Sequence, residues 1–289
     1  VCSQTEEEFV FKSLMYRLIS SVLKPFGYSV YNTHYIEGRL RRPTLDGALS
    51  HLKKVGFAPA CIIDVGAAYG TPPLYKTYPD IPQVLIEPLQ EYKPELETLA
   101  QQYPKMIIVM AAAHHMPGTM EINVLPELDS TSFYTEQGAN AVKRTIPVMT
   151  LDEICTQNNL NGPYLIKADV EGAELDALRG AEQILKETDC VILETTLFRY
   201  REGAPLIHDV IHYMTERGYL LFDIVGAAYR PLDDSLVRID LVFVREDSPI
   251  RSNQSRTTSE DQAVRARKFA ARGLERLEDV ADRASEKSG

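Results

Sequence analysis

The chain has 289 residues, 44% of them hydrophobic and 25% charged, which is enough apolar side chain for one substantial core and excludes a chain disordered throughout. Its formal charge of −10 and pI near 5.2 argue against a protein that embraces a nucleic-acid backbone, because displacing counterions needs a basic face. Glu6-Glu7-Glu8 replaces a basic leader, no stretch reaches transmembrane length, and Cys2, Cys61, Cys155 and Cys190 form no Cys-x-x-Cys pair, so we expect a soluble, cytoplasmic protein without an integral membrane segment.

Over residues 7–23, Val10, Phe11, Leu14, Leu18 and Val22 recur at three- and four-residue spacing, an amphipathic helix broken by Pro25 and Gly27. Such a helix packs on the side of its own domain or serves as a lid or dimer contact, which leaves a homo-oligomer open. Residues 44–55 read as a second helix leading into a strand over 61–65.

That strand opens the most informative stretch of the chain. Ile62-Ile63-Asp64-Val65-Gly66-Ala67-Ala68-Tyr69-Gly70 reads as a buried strand and a glycine turn, followed by a helix and a second strand, Val84-Leu85-Ile86, ending in Glu87. Glycines allow close backbone approach to a ligand, and a carboxylate after the next strand accepts from two neighbouring ribose hydroxyls. Only Gly66 and Gly70 are present, so the three-glycine dinucleotide fingerprint is incomplete, and Asp64 would repel a pyrophosphate but suit a sulfonium and an α-amino group. S-adenosylmethionine therefore fits better than NAD.

Helical and strand patterns then alternate: helix 92–102, strand 106–111, helix 151–158, strand 164–168, helix 173–185, strand 191–194. This predicts an α/β fold, a parallel sheet with helices on both faces, and ligands collect at the C-terminal ends of such strands. Asp64, Glu87, Ala112, Asp169 and Glu194 fall at those ends. Runs at 121–125 and 145–148 suggest an extra hairpin, with Asp129-Ser130-Thr131-Ser132 as a polar turn. A helix over 205–217 precedes strands 219–225 and 237–244, joined by about a dozen residues, a hairpin-like ending that closes the sheet with an antiparallel strand. We expect a helical extension over 1–57, one domain over 58–247, and a polar, flexible tail over 248–289 in which 263–284 has helical spacing.

A second constellation is Lys167-Ala168-Asp169-Val170-Glu171-Gly172-Ala173-Glu174. Lys167 and Asp169 leave one face of an extended segment about 7 Å apart at the backbone. A lysine in an apolar strand needs a carboxylate, from Asp169 or from Glu194 on the neighbouring strand. Glu171 and Glu174 read either as site carboxylates or as acids complementing a helix N-terminus. His208 and His212 stand four apart on a helix without a third metal ligand, and His114-His115 read as loop residues near the expected pocket.

Asp64-Val65-Gly66-Ala67, Glu87-Pro88, Thr150-Leu151-Asp152, the 167–174 string and Leu178-Arg179-Gly180-Ala181 together resemble the FkbM family of S-adenosylmethionine-dependent methyltransferases, over about residues 61–194. The resemblance implies a class I, Rossmann-like fold with a mostly parallel seven-stranded sheet and one antiparallel strand. It also implies O-methylation of a hydroxyl on a sugar, glycan or natural product. Carried over, Asp64, Gly66, Ala67 and Gly70, with Tyr69 in the same turn, line the methionine end of the cofactor, Glu87 its ribose, and Ala112 its adenine. One departure is Ala68, where members usually carry asparagine. For chemistry, Asp169 is the first candidate for base or metal ligand, Glu194 the second, and Lys167 orients Asp169 or acts as base itself. A divalent cation such as Mg2+ on Asp169 with Glu194 or Glu171 stays open as a second cofactor. The competing readings are a non-catalytic cofactor-binding or scaffold protein and a nicotinamide-dependent oxidoreductase.

Overall fold

The computed structural model describes residues 42–126, 128, 131–135, 140–264, 266, 267 and 269. The amphipathic segment 7–23, Cys2, Asp129, Ser130 and most of 263–284 lie outside the described residues. The chain divides into two compact units, Val1–Glu246 and Asp247–Gly289.

In the first unit, α1 (Leu45–Lys54) begins where the Thr44 hydroxyl accepts from the Gly47 N–H, and it buries Ala48, Leu49 and Leu52. It leads into β1 (Cys61–Val65), α2 (Pro72–Thr77) and β2 (Gln83–Ile86). Then come α3 (Lys93–Ala100), β3 (Met106–Val109), β4 (Ala112–Ala113), β5 (Gly118–Val124) and β6 (Val142–Met149). Next are α4 (Leu151–Gln157), β7 (Tyr164–Ala168), α5 (Glu174–Arg179) and β8 (Thr188–Thr196). The unit closes with α6 (Ile207–Thr215), β9 (Tyr219–Tyr229) and β10 (Leu236–Arg245).

Seven strands form one sheet in the order β3-β2-β1-β7-β8-β10-β9. The first five pair in parallel, and β10 runs antiparallel to both β8 and β9. The expected mostly parallel seven-stranded sheet with one reversed strand is thus present. All residues of β1, β2 and β7 are buried, as in sheets covered on both faces. One face packs Ile63, Val65, Ile166, Ala168, Val191 and Leu193 against Ile154, Leu178 and Met214 from α4, α5 and α6. On the other face Ile62, Leu165, Ile192 and Val242 are equally buried, and the same face carries Asp64 and Lys167, which are register partners. Cys61, Cys155 and Cys190 are buried thiols, and burial pushes the first two up to about 12, so they behave as small hydrophobes.

Local departures from the expected elements have tertiary causes. The strand expected over 106–111 ends at Val109, and Ala112–Ala113 leaves to join a second sheet, β4-β6-β5, where β5 and β6 form the anticipated antiparallel hairpin. The helix expected over 173–185 stops at Arg179. There the Asp152 carboxylate takes the backbone N–H groups of Gln183 and Ile184, turning the chain into a 3-10 segment, Ile184–Glu187. The β9 to β10 connection is also shorter than expected, residues 230–235, tightened by Arg230 on Asp233 at 2.6 Å.

In the second unit a 3-10 turn spans Pro249–Arg251, and the Thr258 hydroxyl accepts from the Asp261 N–H where a helix begins. No helix among the described residues is long and apolar enough to cross a membrane.

Candidate active site

At the end of β1 the chain turns through three residues in the left-handed region, Gly66 (φ 75°), Ala68 (φ 47°) and Gly70 (φ 93°). Glycine is required at 66: a β-carbon there would lie 2.0 Å from the Asp169 carbonyl oxygen. The Gly66 and Ala67 N–H groups both donate to Ile86 O, at 2.9 and 3.1 Å, which ties the turn to the end of β2.

Glu87, one residue beyond β2, holds the next part of the turn. Its Oε2 accepts from Ala68 N at 2.9 Å and its Oε1 from Leu89 N at 2.8 Å. Each oxygen keeps a further lone pair. Burial pushes this carboxyl up to about 7, against the two backbone donors.

Asp64 lies beneath the turn and is fully buried. It accepts from the Tyr75 hydroxyl and from Thr71 Oγ1 (3.2 Å), with Lys167 Nζ at 3.9 Å. Burial raises its carboxyl, opposed by Lys167 and the two hydroxyls. Ala67 is likewise buried, and Gly70 abuts Leu99 and Tyr75. Tyr69 points outward, 64% exposed, with its ring edge-on to Tyr92 at 4.7 Å.

Beside this turn lies a cleft of about 600 Å3, including its open mouth. Val65, Gly66, Ala68 and Glu87 form one side, Ala112, Ala113, Ile122 and Ile146 an apolar wall, and Phe133 a cover. Asp169, Val170 and Glu171 close the remaining end. The cleft therefore joins the two sequence constellations, bringing Gly66, Glu87, Ala112 and Asp169 to one cavity, while Asp64, Ala67, Tyr69 and Gly70 are not among its lining residues.

The acidic end is held by dense pairing. Lys167 Nζ is 3.1 Å from Asp169 Oδ2, and these two carboxylates, Asp169 and Asp64, keep the buried ammonium charged despite its desolvation. Burial opposes ionisation of Asp169, but the Lys167 charge and hydrogen bond hold its carboxyl below the usual range. Its side chain is about a third exposed (34%), whereas Glu171 and Glu194 are buried. Burial first, and then the neighbouring Asp169 and Glu171 charges, push the Glu194 carboxyl above its ordinary range, against the pull of the Arg238 charge. Glu194 pairs with Arg238 instead of Lys167.

Glu174 braces the loop from behind. Its Oε1 accepts from the N–H groups of Val170 and Gly172, both at 3.1 Å, fixing the segment in which Glu171 (φ 55°) and Gly172 (φ 103°) adopt left-handed backbone. The Thr150-Leu151-Asp152 motif is structural too: Thr150 and Glu153 form a reciprocal cap on α4, and Asp152 anchors the turn after α5.

Sequence reading missed Arg201, Arg238, Ser132 and Phe133. Ser132 Oγ donates to Glu171 O at 2.7 Å, which ties Ser132 to the acidic loop. Arg201 comes from the loop after β8 and Arg238 from β10, neither within a local pattern; the pairing of β10 with β8 places Arg238, and an ion pair with Glu171 places Arg201. Among the histidines, His208 and His212 lie on the exposed side of α6 beside Asp209 and Glu216. His114, His115 and Asp176 approach one another within 4.8 Å, but Asp176 already accepts from Tyr134 Oη (2.7 Å) and pairs with Arg179 (2.6 Å).

Residues 64–221, more than half of the chain, match the family model described as the methyltransferase FkbM domain. No curated protein matches. Among solved structures, the chain is similar to methyltransferase FkbM from Methylobacillus flagellatus KT, with 18% identity, 63% of this chain and 43% of that one covered, and a TM-score of 0.42. The match thus spans less than half of that protein's length. It is also similar to magnesium protoporphyrin IX methyltransferase from Synechocystis PCC 6803, solved with bound S-adenosylmethionine (11% identity, 85% and 100% covered, TM-score 0.41). A third is the 1,6-didemethyltoxoflavin-N1-methyltransferase of Burkholderia thailandensis (11% identity, 86% and 94% covered, TM-score 0.38).

Proposed function

The chain belongs to the FkbM family of S-adenosylmethionine-dependent methyltransferases, and from that premise we propose that it methylates a hydroxyl oxygen of a sugar, glycan or natural product, with Asp169 accepting the proton. Membership sets the nicotinamide reading aside. The observation that carries the proposal is the contact of Gly66 with the Asp169 backbone, which sets a partly exposed carboxylate at the end of the cleft beside the glycine turn.

The residues present suit that cofactor. Glu87 offers two oxygens, each with a free lone pair, to a ribose diol, and Ala112, Ala113, Ile122, Ile146 and Phe133 offer an apolar slot for adenine. Gly66 lets the backbone approach the methionine end, while Asp64, from beneath, holds Thr71, Tyr75 and Lys167. Ala67, Tyr69 and Gly70 shape the turn without lining the cleft.

When bound, S-adenosylmethionine supplies an electrophilic methyl carbon. The chain's own work is to hold the acceptor oxygen in line with it and to take the hydroxyl proton as the oxygen–carbon bond forms. Asp169 suits the proton step because Lys167 keeps it ionised and oriented.

The test is transfer of a labelled methyl group across glycans, glycosides and natural-product hydroxyls. We expect at least one acceptor, with the label on oxygen. A protein that binds the cofactor stoichiometrically and methylates none of them would contradict the proposal.

A further inference from the structure

Asp169, Glu171 and Glu194 each bring one oxygen within 4.8 Å of the others. Three carboxyl groups this close, two of them buried, need positive charge nearby. A divalent cation is one source and basic side chains are the other, and here the basic side chains are already in place. Arg201 Nη1 lies 2.6 Å from Glu171 Oε2. Arg238 reaches two of the three acids, with Nε 2.9 Å from Glu194 Oε1 and Nη1 3.6 Å from Glu171 Oε1. Lys167 holds Asp169.

Arg238 arrives there by a particular backbone device. It sits on β10 opposite Thr196, and the β10–β9 register shifts on both sides of it, between Leu236 and Arg238 and again between Arg238 and Asp240. Such irregularities re-aim a side chain. The guanidinium fork then spans two carboxylates with fixed geometry, which a lysine's point charge does not reproduce.

Mg2+ demands near-octahedral oxygens at about 2.0–2.1 Å. Placed among these three acids it would face the guanidinium groups of Arg201 and Arg238, and both Glu171 oxygens and Glu194 Oε1 are already engaged. The residues present do not fit a divalent cation while Arg238 is in place.

We propose that Arg238 is the resident cation of this triad, a positioning residue that clamps Glu171 to Glu194 beside Asp169, and that methyl transfer proceeds without a divalent metal. The proposal rests on the reading of Asp169 as the base, and its metal arm needs no acceptor and no turnover, so the two fail separately.

Mn2+ serves as the probe, its free signal followed by electron paramagnetic resonance in titrations of the full chain. Wild type should leave the free Mn2+ signal undiminished at equimolar protein, and EDTA should leave methyl transfer unchanged. Arg238→Met, which removes the charge but keeps the bulk, should take up one Mn2+ per chain. Its kcat should fall at least tenfold while cofactor affinity stays within about twofold. Arg238→Lys should exclude Mn2+ again but recover kcat only in part, because one ammonium cannot bridge both acids. Stoichiometric Mn2+ binding by wild type, with transfer lost to EDTA and restored by Mn2+, would overturn the proposal. So would an Arg238→Met protein of unchanged cofactor affinity that neither binds Mn2+ nor slows.

Discussion

Gly66 and Asp169 are in backbone contact across the sheet: the position of a β-carbon on Gly66 is 2.0 Å from the Asp169 carbonyl oxygen, and Asp169 N donates to Val65 O at 3.0 Å. The turn after β1 and the loop after β7 are therefore packed directly on each other. Gly66→Ala must push them apart, and its φ of 75° adds strain. We expect cofactor affinity in calorimetry to fall by at least tenfold, with a lowered thermal midpoint. Wild-type affinity in that variant would show that the contact does not shape the cleft.

Ala68 occupies left-handed backbone (φ 47°), which costs a non-glycine residue roughly 1–2 kcal/mol and is best tolerated by glycine or asparagine. That is the physical reason an asparagine suits this position. Ala68→Asn and Ala68→Gly should each raise the thermal midpoint by a few degrees without weakening cofactor binding. The bond to Glu87 uses the Ala68 backbone N–H and survives either change. A drop in midpoint for both variants would contradict this.

Burial pushes Glu174 up to about 7 from 4.5, despite the backbone donors of Gly172 and Val170. Between those values the folded protein keeps a proton on Glu174 that the unfolded chain has lost, so this carboxyl's contribution to stability falls as pH rises from about 4.5 to 7 and is level above it. The effect of this one carboxyl is up to about 3 kcal/mol. Glu174→Gln keeps an acceptor for both N–H groups and carries no titrating proton. Its thermal midpoint should equal wild type near pH 4.5 and exceed it at pH 8. Glu87 and Asp240, raised to about 7 and about 6, titrate in the same range, so the slope is reduced rather than removed. Parallel pH curves for the two proteins would refute the assignment.

Glu87 gives a second pH signature, on binding. If the ribose diol requires the carboxylate, affinity for S-adenosylhomocysteine should rise roughly tenfold from pH 6 to pH 8, as a group titrating at about 7 ionises. Glu87→Gln should bind at least tenfold more weakly at pH 8 and lose most of that pH dependence. An unchanged pH dependence in the variant would remove Glu87 from the cofactor site.

The parts of this structure legible in the chain are those written in short-range patterns. Strands β1 and β7 fall on the apolar runs 61–65 and 164–168 without adjustment, because full burial on both faces forbids polar interruptions other than the paired Asp64 and Lys167. The glycine turn and the acids at strand ends were legible for the same reason. Elements decided by distant partners were not. The helix after Glu174 stops early at Arg179 because the Asp152 carboxylate, from the preceding helix, takes the N–H groups of Gln183 and Ile184. Arg238 is legible only through the pairing of β10 with β8.

The measurement that bears most directly on the central claim is labelled methyl transfer by Asp169→Asn beside a calorimetric titration of the same protein with S-adenosylmethionine. Asparagine preserves the shape and a contact for Lys167 but cannot take the acceptor proton. The account predicts cofactor affinity within a few fold of wild type and a kcat lowered by about 10²–10⁴. Transfer at the wild-type rate by a variant that binds cofactor normally would contradict it.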